Sequence, residues 1–163
     1  MPWIEPLKQF VRATRGEAKL VGICFGHQIM AEAFGGRVAR SDKGWAVGLR
    51  SYQVINRAAW MDQAERIAVP VSHQDQIIDQ PPRSTLLVGC DYGSMAVLAY
   101  DDRPAISFQC HPEFEPEFAG ALIEMRRSKL ADADAAIGSL AKPNDNRRLA
   151  EWIKRFVEAG SIA

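Results

Sequence analysis

Two short segments carry side chains that together could perform nucleophilic catalysis. In the first, GICFG, Cys24 lies between Gly22 and Gly26, where an apolar run gives way to a helical pattern. A strand that turns sharply into a helix exposes the corner residue, and flanking glycines leave room for the turn. The helix N-terminus favours a thiolate, and the N–H of Phe25 could point at an oxyanion. Because the motif equally fits a buried cysteine in a tight turn, both interpretations stay open at this point.

The second segment, FQCHPEF, offers a base for such a cysteine. A nucleophilic thiol needs a proton acceptor, and that acceptor needs a group that orients its ring. Residues two apart in an extended segment face the same side, so Glu113 could hold His111. Of the three histidines, His27, His73 and His111, only the last has a nearby carboxylate at the end of a predicted strand. Taken alone, the HPE element fits a surface turn equally well.

The elements that must position these side chains follow from hydrophobic periodicity. An amphipathic helix is predicted over 3–14, then a buried strand over 19–24 and a helix over 25–34. Strand-like segments follow at 37–40, 47–55, 66–73, 85–91, 94–100 and 105–111. Two helical stretches close the chain, with a break at KPND and an N-cap at Asn144 or Asp145. This order predicts a single α/β domain.

Composition narrows the function classes. Twenty basic residues balance twenty acidic ones, and no segment is strongly basic, which argues against a nucleic-acid or anionic membrane partner. Three widely spaced cysteines, Cys24, Cys90 and Cys110, form neither a disulfide framework nor a zinc pattern. We therefore expect a cytoplasmic protein in a reducing compartment. The EMRRSK segment is interpreted as a solvated helix face, and Trp45 as either a pocket-mouth residue or an ordinary turn aromatic.

The two motifs occur in one chain, 87 residues apart, and a third segment lies between them. With GICFGHQ, SHQDQI and HPEF in this order, the sequence resembles a class I glutamine amidotransferase domain, whose triad is Cys-His-Glu. Within that family it is similar to the stand-alone branch, which includes the amidotransferase domain of GMP synthase and gamma-glutamyl peptidases. The resemblance implies a flavodoxin-like α/β fold, with a central, mostly parallel sheet and flanking helices.

The resemblance also implies roles for individual residues. Cys24 would attack a gamma-glutamyl amide and form a thioester. His111 would move the proton, Glu113 would orient His111, and the Phe25 N–H would bind the oxyanion. Three further residues would bind the substrate: Gln28, Ser72 and His73. The step that the resemblance implies needs no metal or organic cofactor.

The implied function is hydrolysis of glutamine to glutamate and ammonia through that thioester. Alternatives are a gamma-glutamyl peptidase, a catalytically impaired glutamine-binding or regulatory pseudoenzyme, and a cysteine-elbow protein acting on other substrates. The implied partners are a small gamma-glutamyl substrate and either a synthetase or a second copy of the chain.

The sequence departs from the family pattern at its N-terminal end. Family members carry a strand, a helix, a strand and a glycine-rich turn before the helix that here begins near Trp3. The sequence is therefore expected to form one domain over 1–163 that is N-terminally truncated and lacks the usual first βαβ unit. That turn would supply the second oxyanion N–H, and those strands would flank the strand leading to Cys24.

Overall fold

The computed structural model describes residues 1–14, 16–90 and 94–159, and its elements follow the predicted order closely. The helices are α1 (Ile4–Ala13), α2 (Phe25–Ala33), α3 (Pro116–Met125), α4 (Ala133–Ser139) and α5 (Asn146–Glu158), with a 3-10 helix at Arg127–Lys129. The strands are β1 (Leu20–Ile23), β2 (Arg37–Arg40), β3 (Ala46–Val54), β4 (Arg66–His73), β5 (Asp75–Asp79), β6 (Ser84–Gly89), β7 (Met95–Tyr100) and β8 (Ala105–Phe108). The strand predicted over 85–91 ends in β6 at Gly89, and its last residue lies outside the described ranges.

The α/β class is confirmed, but the prediction of a mostly parallel sheet is wrong for the described strands. Six strands form one sheet in the order β1-β8-β7-β6-β3-β4. Only β1 and β8 pair in parallel, whereas the four remaining neighbours pair antiparallel. The reason lies in the connections: the segments between β6, β7 and β8 are short, and a short loop can join only antiparallel neighbours.

A second, two-stranded sheet was not predicted. β5 pairs antiparallel with β2, with Val38 opposite Ile77 and a register irregularity at Arg37. The sequence of β5, DQIID, has two adjacent apolar residues and no alternation, which hides it from a period-two search. This small sheet carries the chain from His73 back towards the helix that follows Cys24, through contacts of α2 with β2 and β5.

Helices cover both faces of the large sheet, which explains why its central strands consist of continuous apolar runs. All four residues of β8 are buried. In β7, Val97 packs with Trp152 of α5 on one face, and its neighbour Leu98 packs with Met30 of α2 on the other. Successive side chains of a strand alternate between faces, so a sheet covered on both sides needs apolar residues at every position.

The N-terminus of α5 is attached to the sheet rather than capped by its own side chain. Asp145, one of the two predicted cap positions, is the N-cap residue, but its side chain makes no capping hydrogen bond. Instead its carboxylate accepts from the Ala68 N–H at 2.8 Å, and its own N–H donates to the Ala68 carbonyl at 2.7 Å. Asp145 therefore aligns the buried face of α5 with β4.

β1, the strand that leads to Cys24, lies at one end of the sheet order. It pairs with β8 on one side, and within the described residues its other edge has no strand partner. Val21 in this strand and Trp3 and Phe25 beside it are 36%, 51% and 43% exposed. The rings of Trp3 and Phe25 pack together with centroids 5.5 Å apart.

Among the described helices, none is long and apolar enough to cross a bilayer.

Candidate active site

Parallel pairing of β1 with β8 brings the two sequence motifs to the same edge of the sheet. Ile23, the last residue of β1, lies opposite Phe108, the last residue of β8. The Cys24 N–H donates to the Phe108 carbonyl at 2.7 Å, so the pairing continues one residue past the strand. The carboxyl ends of adjacent parallel strands open on the same side, and Cys24 and the segment that leads to His111 therefore start from neighbouring points.

Cys24 occupies a strained backbone conformation at the corner between β1 and α2. Its φ is 48° and its ψ is −96°, a region that residues other than glycine rarely adopt. Gly22 is required by space, because a Cβ there would lie 2.8 Å from the Gly26 backbone and 2.5 Å from the Met30 sulfur. Gly26 is different: a Cβ at this position would meet nothing within 4 Å. The prediction that both glycines make room for the turn therefore holds for Gly22 only.

The strain at Cys24 predicts an unusual stability order. Cys24→Gly is expected to be more stable than Cys24→Ala by about 1 kcal/mol, because relief of roughly 1–3 kcal/mol of backbone strain exceeds the entropy cost of glycine. Both variants remove the thiol, so the pair isolates the backbone effect. The free energy of unfolding from urea titration is the measurement. Equal stabilities, or a more stable alanine variant, would contradict strain at this corner.

The electrostatic surroundings of the Cys24 thiol differ from the sequence expectation of a lowered pKa. Burial raises the pKa of the thiol, and the nearby Glu113 carboxylate raises it further. The Phe25 N–H directed at the sulfur, the Gln109 amide 3.7 Å away and the positive charge of Arg126 lower the pKa, but burial is the stronger effect. The resting thiol is therefore protonated near neutral pH, and a reaction at its sulfur needs a base.

The His111 ring is held on two sides. Its Nδ1 donates to Oε1 of Glu113 at 2.6 Å, and the ring stacks on Phe114 with centroids 3.8 Å apart. The His111 N–H donates to the carbonyl of Pro70 in β4 at 2.9 Å, which ties this segment to the sheet. Because a carboxylate oxygen accepts hydrogen bonds, this contact favours the tautomer with its proton on Nδ1, and in a neutral imidazole that tautomer has its lone pair on Nε2.

A cavity of about 460 Å³ opens at Cys24. Its wall includes the three residues that sequence resemblance assigned to substrate binding, together with residues not assigned there: Cys24, Gln28, Ser72, His73, Arg40, Trp45, Gln74, Asp75 and Arg126. His111 and Glu113 are not among these lining residues. The charge of Glu113 nevertheless acts on the Cys24 thiol and raises its pKa.

Hydrogen bonds fix two side chains of the cavity wall, Gln28 and His73. The Gln28 amide donates to the Asp75 carbonyl at 2.9 Å and to Oε1 of Gln109 at 3.3 Å. His73 Nδ1 donates to the same Asp75 carbonyl at 3.0 Å. Burial lowers the pKa of His73, so its ring is neutral, and its buried Nε2 has no hydrogen-bond partner among the described residues. Nε2 is thus an acceptor at the wall of the cavity.

The remaining histidine and cysteines occupy other positions. His27 is fully buried, with Nε2 donating to the Met95 carbonyl at 3.0 Å and Nδ1 at 2.7 Å from the Ser107 hydroxyl. Burial lowers the pKa of His27 to about 3, which keeps it neutral. Cys110 is buried with its pKa raised to about 12, Cys90 is half-buried, and neither forms a disulfide. Within the described ranges, no group of three or more His, Cys, Asp or Glu side chains could hold a metal ion.

Sequence reasoning missed two residues near the thiol. Gln109 is 1% exposed and reaches the Cys24 sulfur with its amide. It precedes His111 by two positions, so its place on the same side of the segment was available as a signal. Arg126 follows α3, inside the EMRRSK segment that was interpreted as a solvated face, and it reaches the cavity. Nothing in the local sequence distinguishes it from Arg127, which pairs with Glu124 and Asp134.

Several known proteins have sequences similar to that of this chain. The family model for glutamine amidotransferase class-I matches residues 3–127. A glutamine amidotransferase-like protein from Schizosaccharomyces pombe is 31% identical, covering 96% of this chain and 65% of its own length. Gamma-glutamyl peptidase 2 from Arabidopsis thaliana is 31% identical over 86% of this chain and 60% of its own. A glutamine-hydrolyzing GMP synthase subunit from Methanopyrus kandleri is 26% identical over 66% of this chain and 58% of its own.

A solved structure shows the same fold. The glutamine amidotransferase from Thermotoga maritima superimposes with a TM-score of 0.80 at 21% identity, covering 96% of this chain and 70% of that one. This chain therefore spans about two thirds or less of the length of the curated relatives named above.

Proposed function

The chain belongs to the class I glutamine amidotransferase family, and from this premise we propose that it cleaves a gamma-glutamyl amide through a thioester on Cys24. One observation carries the proposal. Cys24 sits at a strained strand–helix corner with the Phe25 N–H aimed at its sulfur, and the strand beside it leads to the His111–Glu113 pair. A nucleophile, a base with an orienting carboxylate and an oxyanion donor are the parts that acyl transfer needs.

In the first half of the reaction, Nε2 of His111 takes the thiol proton and the Cys24 sulfur attacks the gamma-carbonyl carbon. The carbonyl oxygen becomes an oxyanion and accepts a hydrogen bond from the Phe25 N–H. Collapse of this intermediate breaks the carbon–nitrogen bond, and His111 returns the proton to the departing ammonia or amine. Glu113 keeps the ring in the tautomer that these transfers require.

In the second half, a water molecule gives a proton to His111 and attacks the thioester carbon. The carbon–sulfur bond breaks, glutamate leaves, and the proton returns from His111 to the Cys24 sulfur. The raised pKa of the resting thiol means that this cycle needs a base, the role proposed for His111. Gln28, Ser72 and His73 form the wall against which the glutamyl group would lie.

The identity of the leaving group separates two versions of this function. Relatives named as subunits of GMP synthase suggest release of ammonia to a synthetase partner. Relatives named as gamma-glutamyl peptidases suggest release of an amine from a gamma-glutamyl compound, and they match a larger share of this chain. The second version therefore has the stronger support from similarity, and it needs no partner protein.

A gamma-glutamyl chloroketone is expected to alkylate Cys24 and to leave Cys90 and Cys110 unmodified, because Cys24 alone among the three cysteines lines this cavity. Peptide mapping by mass spectrometry reads all three sites in one experiment. Incubation with glutamine and with a gamma-glutamyl anilide then compares ammonia with aniline release.

Labelling restricted to Cys24 together with release of either product would support the proposal. Protection of Cys24 by glutamine without release of any product would favour the glutamine-binding pseudoenzyme instead. Equal labelling of Cys90, or no labelling at Cys24, would sink the proposal.

A further inference from the structure

Arg126 places a cation in the cavity beside Cys24. It is the C-cap residue that follows α3, and its own N–H donates to the Ile123 carbonyl at 3.0 Å. Its guanidinium donates through Nη1 to the Ser72 hydroxyl at 2.5 Å and lies 5.0 Å from the ring centroid of Trp45. A guanidinium that contacts both a hydroxyl and an aromatic face has a defined position, unlike that of a free surface arginine.

Arg126 differs from two other arginines of this region in its partners. In the parts of the chain that the structure describes, no carboxylate forms an ion pair with it, although it is half-buried. The next residue, Arg127, is bonded to Glu124 and Asp134, and Arg148 is bonded to Asp62 and Asp145. A half-buried guanidinium that lacks a carboxylate keeps N–H donors in a planar fork, which matches the geometry of a carboxylate ligand.

The position of this cation relative to the thiol limits what it could bind. Arg126 lines the same cavity as Cys24, and it is close enough to lower the pKa of the thiol. A ligand that presents its reacting carbonyl to Cys24 and an anionic group to Arg126 must therefore be short. The cavity wall also includes Asp75, a group of the opposite charge that suits an ammonium. An amino-acid head group carries both charges, and a glutamyl chain places it a few bonds from the gamma-carbonyl.

We propose that Arg126 binds the free alpha-carboxylate of the gamma-glutamyl group and thereby selects substrates that end in an unmodified glutamyl unit. This inference rests on the proposed function and goes beyond it by naming a specificity-determining residue. The hydrogen bond to Ser72 and the contact with the Trp45 ring orient the guanidinium. An internal glutamine of a peptide, whose alpha-carboxyl is an amide, lacks the anion that this arrangement recognises.

The test compares Arg126→Gln with the matched variant Arg127→Gln, which removes a neighbouring charge that pairs outside the cavity. For the purified chain, kcat/KM is measured on a gamma-glutamyl anilide and on the same compound with its alpha-carboxyl converted to an amide. The wild type is expected to prefer the free carboxylate by roughly 10- to 100-fold, the usual range for a hydrogen bond to a charged group. Arg126→Gln should remove most of this preference, and Arg127→Gln should retain it.

A second measurement does not depend on gamma-glutamyl chemistry. Alkylation of Cys24 by iodoacetate is compared with alkylation by the neutral iodoacetamide, and the ratio of the two rates cancels any change in thiol pKa. Arg126→Gln should lower this ratio by roughly tenfold, because one nearby cation attracts the anionic reagent. Arg126→Lys keeps the charge without the fork, so it should retain most of the ratio while losing part of the substrate preference.

The outcomes separate this inference from the proposed function. A lowered alkylation ratio in Arg126→Gln, in a protein without turnover, would support the carboxylate site and count against the hydrolase. Turnover with an unchanged alkylation ratio and an unchanged substrate preference would overturn the role of Arg126 and leave the hydrolase standing. An equal loss of substrate preference or alkylation ratio in Arg127→Gln would also overturn the role of Arg126. The effect would then come from positive charge in the region and not from the guanidinium of Arg126.

Discussion

Cys24→Ser is expected to lower hydrolysis of a gamma-glutamyl amide by at least roughly 10⁴-fold, the scale seen when a covalent nucleophile is removed. The serine hydroxyl is far less acidic than a thiol, and the substitution leaves the backbone strain at this corner unchanged. Of the three cysteines, Cys24 lines the cavity, and its sulfur accepts a hydrogen bond from the Phe25 N–H. Initial rates of product release from a gamma-glutamyl anilide measure the loss.

Cys90→Ser is the matched control for this change. Cys90 is half-buried and free, like Cys24, but it is absent from the cavity wall at Cys24. We expect this variant to keep the activity of the wild type and the labelling of Cys24. Comparable losses in both variants would show that the effect comes from general destabilisation, and full activity of Cys24→Ser would falsify the thioester mechanism.

His111→Asn is expected to produce a loss similar to that of Cys24→Ser, roughly 10⁴-fold in kcat, because both halves of the reaction need the same proton carrier. Glu113→Gln should have a smaller effect, roughly 10²-fold. The amide still contacts Nδ1, but it no longer selects the tautomer with a free lone pair on Nε2. Since the Glu113 side chain is 52% exposed, water can partly replace it. Steady-state rates across pH give both values.

Glu115→Gln provides the control for the charge change at Glu113. Glu115 is exposed, precedes α3, and makes no capping hydrogen bond with its side chain. Its substitution should leave kcat unchanged. If Glu113→Gln were as active as the wild type, the 2.6 Å contact with His111 would have no role in catalysis. A burst of product in His111→Asn followed by slow release would indicate that another group serves the first half of the reaction.

Most helices and strands could be predicted because their signals are local. The apolar stripe of α1 and the break before α5 lie within a few residues of the features they predict. The parallel pairing of β1 with β8 is different, because about half of the chain separates the two strands. The small sheet of β2 and β5 was not predicted for a related reason. Its stability depends on packing of Val38 and Ile77 against α2, not on an alternation of apolar and polar residues.

The same distinction applies to the candidate site. The residue types of Cys24, His111 and Glu113 were evident because each sits in a short motif whose chemistry can be read from neighbours. Gln109 and Arg126 were missed, since their importance comes from contact with the sulfur and with Ser72 across the fold. The pKa of Cys24 shows the limit most clearly. A helix N-terminus predicts a lowered value, whereas burial and the Glu113 charge raise it.

By itself, the sequence determined the family, the α/β class and the identity of the residues proposed for catalysis. Backbone preferences, turn glycines and short motifs act over a few residues, so a linear chain displays them directly. Only the tertiary structure decided that the sheet is mainly antiparallel, that Gly22 rather than Gly26 makes room for the turn, and that Arg126 faces the cavity. The position of Arg126 depends on its contact with Ser72, which lies far away in the chain, and the other two depend on how neighbouring segments turn and pack in three dimensions.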